Sequence, residues 1–135
     1  MRSLIHPFSM VATTPRDYDD AVARTREALD EEGFGIVSEI DVRETLKSRL
    51  GVEREPYLIL GACNAPYAHE ALELEPELGA LLPCNVVVYV RDGLTHVSAV
   101  DSERLLSVAD RAELEPIAHG IHRRLQRVVD RVATC

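Results

Sequence analysis

Apolar residues recur along the chain with two periods, one typical of helices and one typical of strands. In residues 13–33 (TTPRDYDDAVARTREALDEEG) the apolar positions fall three and four residues apart, which predicts an amphipathic helix. Thr14 is its predicted N-cap, Pro15 occupies the first helical position, and Gly33 ends it. The predicted buried stripe consists of Tyr18, Ala21, Val22, Thr25, Ala28 and Leu29.

The same helical period occurs at the C-terminal end of the chain, and shorter helices are predicted between the two. The last helix begins near Pro116, and its apolar stripe contains Ile117, Ile121, Leu125, Val128 and Val132. Asp41 is the predicted N-cap of a short helix that ends at Gly51. Asn64 is the predicted N-cap of the segment APYAHEALEL, and Pro76 begins a further helical turn.

Strand-like segments lie between these helices. The segments FGIVSEI, PYLILGAC and NVVVYV are short, apolar and rich in β-branched residues. Asp92-Gly93 then predicts a two-residue hairpin turn, which pairs Tyr89 with His96 and Val88 with Val97. One face of this hairpin is predicted to hold Val86, Val88, Val90, Val97 and Ala99, and the other Tyr89, His96 and Ser98.

The order of these elements predicts an α+β fold. We expect a single antiparallel β-sheet with two long helices packed on one face, in a β-α-β-β-β-β-α core with short extra helices. The chain has neither a repeat nor a flexible linker, so residues 1–135 are predicted to form one domain. The hairpin between the last two strands argues against a parallel, doubly wound sheet.

Composition narrows the classes of function. A formal net charge of −8 opposes binding to phosphate backbones, so we expect no nucleic-acid partner. The sequence contains neither an apolar run of the roughly 20 residues that a membrane helix needs nor a signal peptide, which predicts a cytoplasmic protein without a membrane partner. Three cysteines in such a chain favour reduced thiols over a disulfide framework.

The dipeptide Cys-Asn occurs twice, at Cys63-Asn64 and at Cys84-Asn85. Cys63 ends one predicted strand and Cys84 begins another. If those strands are antiparallel neighbours, the two cysteines lie at the same edge of the sheet, beneath the helices that connect them. In one interpretation, each cysteine is only a small buried side chain and each asparagine a cap or turn residue.

Three functional interpretations of this region remain open. In the first, the sheet and the connecting helices enclose a pocket for a small ligand, lined by Asn64, Tyr67, His69 and Asn85. In the second, Cys63 is an attacking thiolate favoured by the helix that follows it, Cys84 is its resolving or supporting thiol, and His69 transfers a proton. In the third, Cys63, Cys84 and His69 bind a metal, although their spacing lacks the close cysteine pairs of structural zinc sites.

A second spacing typical of metal ligands occurs in the last helix, where His119 and His122 follow Glu115. The helical stripe places His119 away from the apolar side, so the two histidines are not expected to converge on one ion. No motif in the chain identifies a cofactor.

The segments GFGIVSEIDVRETLKSRLG, YLILGACNAPYAHEAL and LLPCNVVV together resemble the bacterial and archaeal family known as domain of unknown function 302. The resemblance covers nearly the whole chain in order. It implies a fold similar to that of the TATA-box-binding protein, with one sheet under two long helices, and often a homodimer. It implies no established activity, and the matching motif positions are Cys63, Asn64, Pro66, Pro83, Cys84 and Asn85.

The sheet face that the helices leave uncovered is the last feature that the sequence predicts. Two helices cover only one face of a sheet, and the residues predicted on the other face include Val87, Tyr89 and Leu94. That face is too apolar to be left bare, so we expect a small ligand or a second copy of the chain to cover it.

Overall fold

The computed structural model describes residues 3–134, and the side chains from His6 onward. Its strands are β1 (Ser3–Ile5), β2 (Ser9–Thr14), β3 (Gly35–Asp41), β4 (Tyr57–Cys63), β5 (Cys84–Arg91) and β6 (Leu94–Val100). Its α-helices are α1 (Tyr18–Glu31), α2 (Val42–Leu50), α3 (Ala65–Leu74), α4 (Ser102–Ser107) and α5 (Glu115–Ala133). Short 3-10 helices occupy Pro76–Ala80 and Ala112–Leu114.

The six strands form one antiparallel sheet in the order β1-β2-β6-β5-β4-β3. The fold is therefore α+β, as predicted. The hairpin has the predicted register, with Tyr89 opposite His96 and Val88 opposite Val97. Asp92 and Gly93 both have positive φ, which is the geometry that this two-residue turn requires.

The long helices α1 and α5 bury the apolar face of the sheet. Val86, Val88 and Val97 from the hairpin are fully buried there, together with Leu60 of β4. The predicted stripe of α5 is buried along its whole length, and α1 buries Ala21, Thr25, Ala28 and Leu29. Tyr18 and Val22 of α1 are half-buried at its margin. One core thus lies between one sheet face and two helices.

The predicted start of α1 is wrong. Thr14 does not cap the helix, because it is the last residue of β2, where it pairs with Thr95. Its hydroxyl donates a hydrogen bond to the carbonyl oxygen of Val132 at 2.7 Å, which ties β2 to the end of α5. Asp17 is the N-cap instead, and its carboxylate accepts a hydrogen bond from the amide of Asp20 at 2.8 Å.

Among the strands and α-helices, two elements of the structure are absent from the sequence prediction. β1 extends the sheet at its edge beside β2, and α4 follows β6 directly. Asp101 caps α4 by accepting hydrogen bonds from the amides of Glu103 and Arg104. Both elements are too short to show a clear period.

Helix α2 differs from the others because none of its residues is buried. Asp41 caps it and Gly51 ends it in the left-handed conformation, both as predicted. Leu50 is 69% exposed and Val52 is 44% exposed. No helix within residues 3–134 has the length and apolar character needed to cross a membrane.

Candidate functional site

The two Cys-Asn pairs lie at the same end of the sheet, as predicted. β4 and β5 are antiparallel neighbours, and Ala62 lies directly opposite Cys84. Cys63 is one residue further along β4, so the cysteines are adjacent without being cross-strand partners. Both thiols are free.

The cavity between these pairs is too small for a metabolite. Cys63 and Cys84 border it together with Phe34, Tyr67 and Leu106, and its volume is about 30 Å³. That volume suits about one water molecule, whereas small-molecule pockets typically measure roughly 300–1,000 Å³. The cavity is therefore a packing space under α3 and not a pocket of the predicted kind.

The chemistry of Cys84 also differs from that of a reactive thiol. Burial raises the pKa of the Cys84 thiol from 9.0 to about 11, with a smaller contribution from the neighbouring Cys63. Very little thiolate therefore forms at neutral pH. Cys84 consequently matches the structural interpretation better than the role of a resolving thiol.

Asn64 and Tyr67 contact a charged cluster between α1 and α5. The Asn64 amide donates a hydrogen bond of 3.5 Å to the carbonyl oxygen of Glu32, and it does not cap α3 through its side chain. The guanidinium of Arg124 lies 5.8 Å from the centroid of the Tyr67 ring. A Cβ atom at Gly120 would overlap that ring, so the glycine lets Tyr67 pack on α5.

Glu32 is the centre of this cluster. Its carboxylate is nearly buried and contacts two arginines of α5, Arg127 and Arg131, each at 2.9 Å. Arg124 donates a hydrogen bond of 3.0 Å to the Glu32 carbonyl oxygen. The hydrogen bond from Arg127, and then the charges of all three arginines, lower the pKa of Glu32 against the opposing effect of burial. The cluster fastens the end of α1 to α5.

The remaining predicted ligand-binding residues lie elsewhere. His69 is exposed on α3 and does not border the cavity beside the cysteines. Asn85 is exposed on the opposite face of the sheet, across from Gly61 of β4. The set Asn64, Tyr67, His69 and Asn85 is thus divided among three surfaces. Asn85 lies on the face opposite Cys84 because successive residues of a strand alternate between its faces.

The histidines of α5 contact the start of α4 and not Glu115. His119 Nδ1 lies 3.3 Å from Glu103 Oε1, and His122 Nδ1 lies 3.3 Å from Asp101 Oδ1. Within residues 3–134, no group of three or more His, Cys, Asp or Glu side chains could hold a metal ion. The metal-binding alternative, including the set Cys63, Cys84 and His69, has no support.

The sheet face that α1 and α5 leave uncovered carries a groove of about 860 Å³. Val11, Val87 and Ser98 occupy neighbouring positions across β2, β5 and β6 beneath it. Tyr57 and Tyr89 border the groove at one end, and its other lining residues are His6, Phe8, Ser9, Arg54, Glu55, Asn85, Val90, Arg91 and Val100. This groove is within the size range of ligand sites and is largely apolar at its base.

A row of stacked rings bounds the groove. Tyr57, Tyr89 and His96 lie directly opposite one another on β4, β5 and β6. Ring centroids are 5.1 Å apart between Tyr57 and Tyr89, and 5.0 Å apart between Tyr89 and His96. Thr13 Oγ1 lies 3.3 Å from His96 Nδ1, and the Arg54 guanidinium lies 5.0 Å from the Tyr57 centroid. The row of rings spans three strands, and the contacts with Thr13 of β2 and Arg54 hold its two ends in place.

Charge in this region is concentrated near the hairpin turn. Arg54, Glu55 and Arg91 all line the groove. Burial, followed by the positive charge of Arg91, lowers the pKa of His96, so its imidazole is neutral at pH 7. Burial and the nearby Tyr57 raise the pKa of Tyr89, so the phenol keeps its proton.

The sequence prediction placed Tyr89, His96 and Ser98 together but missed Arg54, Tyr57 and Phe8. The alternation of YLILGAC predicts which residues of β4 share a face with Tyr57. The residue that lies opposite Tyr57 depends on the register of β4 with β5. The segment between those strands contains α3 and a 3-10 helix, so no tight turn fixes that register. Knowledge of the register alone would have added Tyr57 to the row.

Comparison of the chain with known protein families identifies one family that matches it. The family described as "Domain of unknown function DUF302" matches residues 10–132. A crystal structure of an uncharacterized conserved DUF302 protein from Bacillus stearothermophilus is similar, with a TM-score of 0.88 and 29% sequence identity over 94% of this chain and 99% of that one. A search of the curated proteins gives no match. Because the family match covers nearly the whole chain, this protein belongs to the DUF302 family.

Proposed function

We propose that this protein is a small-ligand binding module whose site is the groove on the uncovered sheet face. The observation that carries the proposal is the groove itself, which has a volume of about 860 Å³ and lies on the sheet face opposite α1 and α5. Small-molecule ligands bind in preformed concave surfaces of this size. Binding requires no turnover, and the family has no established activity that would suggest one.

The base and the end of the groove favour a small molecule with an apolar body. Val11, Val87 and Val100 supply apolar surface, whereas Ser9, Ser98 and Asn85 supply a few hydrogen-bonding groups. This combination of an apolar base with sparse polar groups is typical of ligand sites. The stacked row of Tyr57, Tyr89 and His96 supports affinity, because side chains already fixed lose little entropy on binding.

The alternatives at the Cys-Asn pairs are less well supported. The cavity there holds about 30 Å³, and the Cys84 thiol is buried with a raised pKa. A thiol enzyme using Cys63 and Cys84 would need a reactive pair at that position, with His69 nearby, and His69 lies outside the cavity. The proposed ligand site therefore moves from the Cys-Asn region to the opposite sheet face, where Asn85 alone of the predicted set remains.

The proposal can be tested with N-phenyl-1-naphthylamine, an uncharged probe whose fluorescence increases in apolar surroundings. We expect saturable binding to the parent protein. Val87→Gln places an amide at the apolar base of the groove and should weaken binding about tenfold, which corresponds to about 1.4 kcal/mol. A circular dichroism spectrum unchanged from the parent would show that the variant is folded.

Ile40→Gln is the matched control, because Ile40 lies on the same sheet face in β3 but does not line the groove. It should bind the probe like the parent. Equal weakening by both substitutions, or no saturable binding to the parent of either this probe or its anionic analogue, would rule out the groove as the site.

A further inference from the structure

We infer that the ligand of this groove is an amphipathic organic anion, a free small molecule with an apolar body and one acidic group, and that Arg54 binds the acidic group with support from Arg91. This inference rests on the proposed function and specifies its ligand class. It follows from the distribution of charge around the groove and not from the groove's size.

Arg54 is positioned as an anion-binding residue. Its guanidinium lies against the Tyr57 ring at 5.0 Å, and its Nε donates a hydrogen bond of 3.2 Å to the carbonyl oxygen of Glu55. Across the part of the chain that the structure describes, no carboxylate forms an ion pair with Arg54. The contacts with Tyr57 and Glu55 orient the guanidinium, and its terminal nitrogens still have capacity to bind a carboxylate or sulfonate.

Glu55 is the acidic residue that lines the groove, and its carboxylate is engaged by the hairpin turn. It accepts hydrogen bonds from the amides of Asp92 at 3.1 Å and Gly93 at 3.5 Å. Both carboxylate oxygens are thus occupied by donors of the turn. These contacts also attach the segment that carries Arg54 to the hairpin that carries Arg91.

Arg91 adds positive charge at the same end of the groove. Its contact with Asp92 is 4.0 Å long, and both side chains are more than 80% exposed, at 81% and 89%. Such an exposed pair is weak, so Arg91 can exchange Asp92 for a ligand anion. The whole chain has a net charge of −8, whereas two arginines and one glutamate line this groove, so the positive charge here favours an anion.

Two probes with the same rings provide the test. 8-Anilinonaphthalene-1-sulfonate carries a sulfonate, and N-phenyl-1-naphthylamine has the same ring skeleton without it. We expect the parent to bind the sulfonate about tenfold more tightly than the uncharged probe, as one charge-assisted contact provides. Arg54→Gln should remove most of that preference, because it should weaken binding of the sulfonate far more than binding of the uncharged probe.

Arg49→Gln is the charge-matched control, because Arg49 is exposed on α2 outside the groove. It should retain the preference for the sulfonate, and Val87→Gln should weaken both probes. If the parent binds both probes equally, or if Arg49→Gln acts like Arg54→Gln, the inference is wrong while the binding module stands. If neither probe binds saturably, the proposed function itself is wrong.

Discussion

At the residue scale, Cys84 shows how the position of a side chain determines its chemistry. The residue is 3% exposed at the start of a central strand, and burial raises the pKa of its thiol to about 11. A helix N-terminus or a nearby cation would lower a thiol pKa, but the larger effect on Cys84 is desolvation. The sulfur atom therefore fills core space like a small apolar side chain.

The expected consequence is that Cys84 is nearly inert in the folded protein. In the variant Cys63→Ser/Cys135→Ser, Cys84 is the remaining thiol. A pKa shift from 9.0 to about 11 lowers the thiolate fraction about a hundredfold, so labelling by Ellman's reagent at pH 7 should be at least that much slower in buffer than in urea. Rapid labelling in buffer would contradict the structural role and favour the thiol enzyme.

Part of the surroundings of Cys84 could be predicted from the sequence. Cys63 ends one strand and Cys84 begins the next, so their proximity could be predicted on the condition that the two strands are antiparallel neighbours, as they are. The role of Asn64 could not, because an asparagine before a helix usually caps it through its side chain. Here the amide binds the carbonyl oxygen of Glu32, a partner brought near only by the packing of α1.

At the element scale, the contact between α1 and α5 depends on Glu32. Its side chain is 6% exposed, and it contacts arginines spaced three and four residues apart on one face of α5. The carboxylate satisfies several donors at once. Removal of its charge would leave those guanidinium groups partly desolvated and without their main partner.

Glu32→Gln should therefore lower the free energy of unfolding by about 1–2 kcal/mol near neutral pH, a figure that allows for the partial exposure of the arginines. The pKa of Glu32 is lower in the folded state than its ordinary value of 4.5. Its contribution is thus present above about pH 4.5 and lost as pH falls through the folded pKa. Urea unfolding should show the difference between parent and variant shrinking below that pH.

Glu31→Gln is the matched control for this prediction. Glu31 contacts Arg24 and Arg131 but its side chain is 49% exposed, so solvent screens these pairs and the cost should be smaller. A parent–variant difference for Glu32→Gln that stays constant from pH 7 to about pH 3 would contradict the role of its ionised carboxylate.

Elements with local signals could be predicted from the sequence, and elements without them could not. The Asp92-Gly93 turn fixes the register of β5 with β6, and Asp41 with Gly51 bounds α2, because each signal acts within a few residues. The predicted start of α1 was wrong because Thr14 pairs with Thr95, a strand partner far along the chain. A local capping pattern cannot detect such a partner.

At the scale of the whole molecule, the uncovered sheet face raises the question of self-association. The resemblance to the family implies a homodimer, and we propose that a second copy covers this face when no ligand occupies it. Tyr89 lies on this face between Tyr57 and His96. A two-fold contact would therefore place the stacked rows of both copies together.

Tyr89→Glu should then convert a dimer into a monomer, because it places an unpaired carboxylate in the contact. Light scattering coupled to size exclusion measures the mass of each form. Tyr89→Phe keeps the ring and should remain dimeric. A parent that is monomeric at micromolar concentrations would exclude the dimer, and a dimeric Tyr89→Glu variant would place the contact on another surface.

The overall architecture could be predicted because two long amphipathic helices and a hairpin restrict how one core can form. The location of the groove could not, because it depends on the order of six strands. Val11 of β2 and Val87 of β5 line the same groove only because β6 lies between their strands. Two residues so distant in sequence carry no shared local pattern.

The pairing of β2 with β6 also has a consequence for how the chain folds. β2 is made early in synthesis, but its neighbour β6 and the helix packed on it come from the last third of the chain, as the Thr14–Val132 hydrogen bond shows across 118 positions. Contacts of such long range form slowly, since the intervening chain must first be ordered. Until β6 and α5 have been synthesised, β2 can pair only with β1, and during that interval the apolar surface of β2 is open to chaperones or to aggregation.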